Sequence, residues 1–212
     1  MKNKIYFDYA STTPIAEQVK QDMAAALDDD LLGNASSLDH EFGLGASQAI
    51  ELARQDIAGL INAQTGEIIW TSGATESNNL ALLGVCNFKP HDQPLRIVSS
   101  YAEHKSVIEP LMDLKRKGHH VELIEPNKHG YLEPTSIEKA MEGGCDLLSC
   151  MHINNEIGSV NDIDLIGSMC RERKIIFHVD VAQSNGKFPL DVVKNNIDLM
   201  SLSAHKIYGP KG

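Results

Sequence analysis

The residues 201–212, SLSAHKIYGPKG, set Lys206 in a polar turn directly after an alternating, strand-like run. A lysine becomes a nucleophilic amine when desolvation and nearby cations lower its pKa, whereas arginine in its place would stay charged. Ser203 and His205, on either side of the same turn, are donors suited to phosphate oxygens. Upstream, FHVDVAQSNG places Asp180 at the tip of a strongly hydrophobic run. An ionised carboxylate there is costly unless paired. Its partner is either the protonated ring nitrogen of a bound cofactor or an arginine or lysine of the protein. Gln183, three residues on, is placed to reach the same ligand.

Three further segments carry polar groups after apolar runs. In TSGATESNN, Gly73 permits a tight turn, and Ala74, Thr75 and Glu76 open a helix whose unpaired N–H groups suit a phosphate. Alone, the segment reads equally as a strand-to-helix turn capped by Thr71 or Ser72. In YAEHKS, His104 stands at a helix start, where a histidine serves as a cap or surface group, or lies flat over an aromatic ligand. In MHINNEIGS, Asn154 and Asn155 serve a turn or bond a ligand hydroxyl. Together these segments supply a phosphate cup, a flat imidazole, two amides, an anion for a pyridinium and a primary amine. That inventory is what pyridoxal 5'-phosphate requires, with Lys206 as its covalent anchor and Asp180 on the pyridine nitrogen.

Elements that position these groups follow from periodicity. Strand-like runs are expected at 67–70, 95–100, 120–125, 145–152, 174–181 and 197–203, and amphipathic helices at 41–62, 75–87, 104–117, 136–141 and 162–173. TSIE, Thr135 to Glu138, has the pattern of a capping box. The alternation is βαβ logic, and runs as apolar as KIIFHVDV suit a mostly parallel sheet with helices on both faces, an α/β fold. Ligands of such sheets bind at the carboxyl ends of the strands, where the polar residues gather.

A formal net charge of −10 argues against nucleic acid and anionic membranes as partners. No transmembrane run or signal core is evident, and Cys86, Cys145, Cys150 and Cys170 lack CxxC spacing, so a cytoplasmic protein with reduced thiols is expected. His119 and His120 are adjacent, hence on opposite faces of a strand, which suits a single metal ion poorly.

In order along the chain, YFDYASTTP, GNASSLDHEFG, TSGATESNNLA, EHKSVIEP, MHINNEIG, HVDVAQSNGKFPLD and SLSAHKIYGPKG resemble the class V family of fold-type I pyridoxal phosphate enzymes, most closely the cysteine desulfurases of the IscS and NifS type. The resemblance implies that Lys206 holds the cofactor, Asp180 partners its ring nitrogen and His104 stacks on the ring. It further implies that Asn155 and Gln183 bond the substrate carboxylate side and the ring hydroxyl. Ala74, Thr75, Ser203 and His205 match the phosphate-binding set. The implied reaction takes L-cysteine to L-alanine, with sulfur passed to an enzyme cysteine for iron–sulfur cluster or thio-cofactor assembly. The implied partners are a sulfur-acceptor or scaffold protein and a second copy of the chain.

Some features depart from that pattern. The family's persulfide cysteine, its carboxylate-anchoring arginine and a threonine lent to a neighbouring subunit have no matching motif here. The expectation is therefore an N-terminal arm, 1–15, and a large cofactor domain, 16–212, incomplete at its C-terminus and without the small domain. Such a chain is expected to be inactive alone. Val181, where alanine normally follows the aspartate, is expected to crowd the ring. Rival readings are a selenocysteine lyase, a class V aminotransferase, or a non-catalytic fragment that acts as an assembly partner.

Overall fold

The computed structural model describes residues 5–27, 33–88 and 93–211; residues 1–4 of the expected arm and Gly212 of the last motif lie outside them. The chain divides into two compact units, 1–70 with 204–211, and 71–203 with 212.

The first unit holds helices α1 (Glu17–Ala25) and α2 (Glu41–Ile61). His40 caps α2, its ring Nδ1 accepting the Gly43 N–H at 3.1 Å. Gly43 is required by close approach, because a Cβ there would overlap the Ser37 carbonyl oxygen. The helix ends at Asn62, whose left-handed φ of 56° closes the last turn. The expected strand at 67–70 is absent; a short 3₁₀ turn, Thr65–Glu67, runs into irregular chain. Ile69 and Trp70 are exposed, Arg54 lies over the Trp70 ring at 5.6 Å, and its guanidinium donates to the Ile68 carbonyl. A β-prone run makes a strand only where a neighbour completes its ladder.

The second unit is a parallel sheet of β1 (Arg96–Ser100), β2 (His120–Ile124), β3 (Leu147–Met151), β4 (Ile176–Asp180) and β5 (Leu199–Ser201), in the order β2-β1-β3-β4-β5. Its helices are α3 (Ala74–Phe88), α4 (Lys105–Arg116), α5 (Pro134–Met141) and α6 (Ile163–Arg173). The β1-to-β2 crossover runs opposite in direction to the later ones. With right-handed connections, that reversal puts α4 on one face and α5 and α6 on the other. α3 packs with α4, and α5 with α6. The expected capping box at 135–138 does not form: Pro134 takes the first helical position, so Glu133 is the N-cap and makes no side-chain cap bond.

Beneath α3 and α4, Leu82, Cys86, Val107, Leu111 and Leu114 pack on Ile97, Val121 and Leu147 of the sheet. Fully burying each such side chain contributes about 1.5–3 kcal/mol. Successive residues of one face then change in kind towards the carboxyl ends. Ile97, Leu147 and Ile176 are followed two places on by Ser99, Ser149 and His178, and β4 ends in Asp180 beside Ser201. The direction of the connections reverses between β1 and β3, and ligands of open α/β sheets bind outside the carboxyl ends at such a point.

Candidate active site

Asp180, the last residue of β4, is only 6 % exposed. Its Oδ1 accepts the Ala182 N–H at 2.9 Å and its Oδ2 accepts from Asn78 Nδ2 at 2.8 Å. Asn78 reaches it from the second turn of α3, on the buried stripe that continues through Leu82 and Cys86. The same amide nitrogen donates to Ser106 Oγ at 2.9 Å.

His104 caps α4, its Nδ1 accepting the Ser106 N–H at 3.1 Å and lying 2.8 Å from Ser106 Oγ. An Nδ1 that accepts a backbone N–H carries no hydrogen, so the neutral ring holds its proton on Nε2. Ser106 Oγ accepts from Asn78, which directs its own hydroxyl hydrogen to His104 Nδ1. The cap and the aromatic-ligand readings of His104 are therefore compatible, since capping uses only one ring nitrogen.

At the start of α3, Gly73 adopts a φ of 145° and Thr71 Oγ1 lies 3.3 Å from the Gly73 N and 2.7 Å from Ser77 Oγ. Glu76 folds back to accept the Ser72 N–H at 2.6 Å, a bond that lowers its pKa. The first-turn N–H groups of Ala74, Thr75 and Glu76 have no intrahelical acceptor, as at any helix start. α3 leads into β1 and packs against β4 and β5, so it runs antiparallel to the strands and opens at their carboxyl ends. Two residues beyond β5, Ser203 is buried and its Oγ has no hydrogen-bond partner among the described residues.

Asn154 builds the turn after β3: its Oδ1 accepts the Glu156 and Ile157 N–H groups, and its Nδ2 donates to the Ala102 carbonyl. Asn155 is half-buried and donates to Glu156 Oε1 at 2.7 Å. Gln183 is half-buried in the turn after β4. Val181 is completely buried, and with its N–H on the Ser201 carbonyl it continues the extended chain one step past Asp180.

Periodicity missed the second layer. Glu103 accepts the Met151 N–H at 2.9 Å and so joins the ends of β1 and β3. Burial raises its carboxyl pKa well above the usual range, and the charge of Asp180 adds to this. His178 is sandwiched between Ser149 Oγ and Ser201 Oγ. An amide at position 78 within an otherwise apolar helix stripe was the legible signal for Asn78.

Lys206 and His205 belong to the first unit, in a 3₁₀ turn, Ala204–Lys206. The N-terminal arm clasps that turn. Thr13, buried, donates from both its N–H (2.8 Å) and its Oγ1 (2.9 Å) to the His205 carbonyl. The Tyr208 N–H returns to Thr13 Oγ1 at 2.7 Å and the Ala16 N–H to the Tyr208 carbonyl at 2.9 Å. Thr12 Oγ1 lies 3.1 Å from His205 Nδ1. Partial burial and the cations of Lys206 and Lys211 lower the His205 pKa.

Among the described residues no helix is long and apolar enough to cross a membrane. The chain is 48% identical, over its whole length, to a cysteine desulfurase IscS of Shewanella loihica, of which it covers 52%. It spans about half the length of the curated relatives it matches. Among solved structures, SspA in complex with cysteine superposes with a TM-score of 0.93 at 38% identity, covering 99% of this chain and 59% of that one. An apo cysteine desulfurase from Thermococcus onnurineus NA1 gives 0.90 at 29% identity, covering 98% and 52%. The model of the aminotransferase class-V family matches residues 5–212, and the chain belongs to that family.

Proposed function

We propose that this chain carries the pyridoxal 5'-phosphate site of a cysteine desulfurase. The observation that carries the reading is Asp180: a buried carboxylate at a strand tip, oriented through both oxygens by Asn78 and Ala182. The residues present fit the cofactor. Asp180 accepts a hydrogen bond from a protonated ring nitrogen, and His104 offers a flat ring with Nε2–H. The α3 amino end with Ala74 and Thr75, and the buried, partnerless Ser203 hydroxyl, offer donors to a phosphate, and His205 is assigned to the same set by the family resemblance. Asn155 and Gln183 offer amides, and Lys206 the amine that binds covalently.

When bound, the cofactor supplies an electron-poor ring that stabilises negative charge at the substrate Cα. Asp180 keeps the proton on the ring nitrogen and so sustains that electron demand. Lys206 would hold the cofactor through its amine, and the same Nζ would serve as the base for the substrate Cα proton. Sulfur transfer needs a thiolate. Burial pushes Cys145 up to about 11 and Cys170 up to about 12, raises Cys150 well above its ordinary value, and raises Cys86 too. We therefore assign the sulfur acceptor to a thiol other than these four. L-cysteine as substrate follows the relatives, one of which was solved with cysteine bound.

Borohydride reduction of the folded chain mixed with pyridoxal 5'-phosphate tests this. A pyridoxyl group on Lys206 is expected by peptide mass spectrometry, together with an absorbance change on adding cysteine. Folded protein that carries no label on Lys206 would refute the assignment.

A further inference from the structure

We propose that Asn78 is a positioning residue of this site: its side-chain amide aims the Asp180 carboxylate. The inference rests on the cofactor reading above. Both hydrogens of Asn78 Nδ2 are committed, one to Asp180 Oδ2 at 2.8 Å and one to Ser106 Oγ at 2.9 Å. The Ser106 hydroxyl, accepting there, gives its hydrogen to His104 Nδ1 at 2.8 Å. The Ser106 backbone N–H also donates to His104 Nδ1, so of the two groups it is Asp180, at its Oδ2, that depends on the Asn78 amide. Asn78 is fully buried, so no water competes for its hydrogens. Its position on α3, one turn after Thr75, makes the helix that presents a phosphate cup also the helix that orients the anion. Leucine would pack into the Leu82 and Cys86 stripe at least as well as asparagine, so packing gives no reason for the amide. Its Oδ1, buried and without a partner, shows that the residue serves as a donor.

A double-mutant cycle on the affinity of the whole chain for pyridoxamine 5'-phosphate tests this, because that probe binds without a covalent bond to Lys206. Asn78→Leu is expected to weaken binding about tenfold, the usual worth of a hydrogen bond to a charged group. In an Asp180→Ala background the same change is expected to alter affinity less than about twofold, since a residue acting through Asp180 has nothing left to act on. An equal loss in both backgrounds, or no loss in the first, overturns the inference and leaves the cofactor reading standing. No effect of Asp180→Ala, or no binding by the wild type, overturns the cofactor reading itself. Should Asn78→Leu fail to fold by circular dichroism, Asn78→Ser takes its place in the cycle.

Discussion

Replacing His178 probes the polar row inside the sheet. The ring is completely buried, with Nδ1 2.8 Å from Ser149 Oγ and Nε2 3.0 Å from Ser201 Oγ. A neutral ring donates through one nitrogen and accepts through the other, and the two hydroxyls can match either arrangement. A second proton would make both nitrogens donors and bury a charge. Burial accordingly lowers the pKa to about 4, with the attraction of Asp180 offsetting only part of the cost. In the unfolded chain the ring titrates near its ordinary value of about 6.5. Between those two values the unfolded chain binds a proton that the folded one refuses, so stability rises with pH across that window. The contribution is complete above the unfolded pKa and is lost as pH falls through the interval, about 3 kcal/mol in all. Urea unfolding of wild type and His178→Gln, subtracted at each pH, cancels the other titrating groups. The wild-type advantage is expected to shrink by about 2 kcal/mol between about pH 8 and about pH 5. A difference independent of pH, or a His178 midpoint near the ordinary value by NMR, would show that the ring is not held neutral by burial.

The raised thiols are expected to leave native protein almost unlabelled by iodoacetamide near neutral pH, whereas urea-unfolded protein labels fully; rapid native labelling of any of the four would overturn the sulfur-acceptor assignment. Glu103 has a folded pKa above its unfolded one, so its contribution is present at low pH and lost as pH rises. Glu103→Gln, which keeps the acceptor for the Met151 N–H, is expected to gain stability relative to wild type from about pH 5 to about pH 8, and a relative loss in urea titrations would contradict this. Thr13→Val removes the side-chain bonds to the His205 carbonyl and the Tyr208 N–H, with an expected cost of about 1–3 kcal/mol. Hydrogen exchange checks the last case: the Tyr208 amide should lose its protection, and unchanged exchange would mean that the clasp does not hold the turn.

Most of the architecture was legible because its signals are local. KIIFHVDV is apolar on both faces and becomes a strand paired on both sides, and the helical stripes near 41–62 and 104–117 appear within a residue or so of their expected bounds. EIIW misled because β-propensity was present without a ladder neighbour. TSIE misled because Pro134, with φ already set, starts the helix earlier. Candidate site residues were legible for a similar reason: a carboxylate or a lysine after an apolar run is conspicuous as a residue type.

What each group touches was not legible. Asn78 and Asp180 stand 102 residues apart, and Thr13 and His205 are separated by 192. The sequence by itself determined the alternation of elements, the parallel sheet and the kinds of functional group at its carboxyl edge, since these depend on periodicity and side-chain chemistry within a few neighbours. The tertiary structure decided which donor satisfies which acceptor: Asn78 for Asp180, Ser106 for His104, Thr13 for the turn that carries Lys206. Such pairings depend on distances of about 3 Å between elements remote in the chain, and hydrogen bonding is too short-ranged and directional to be written in local pattern.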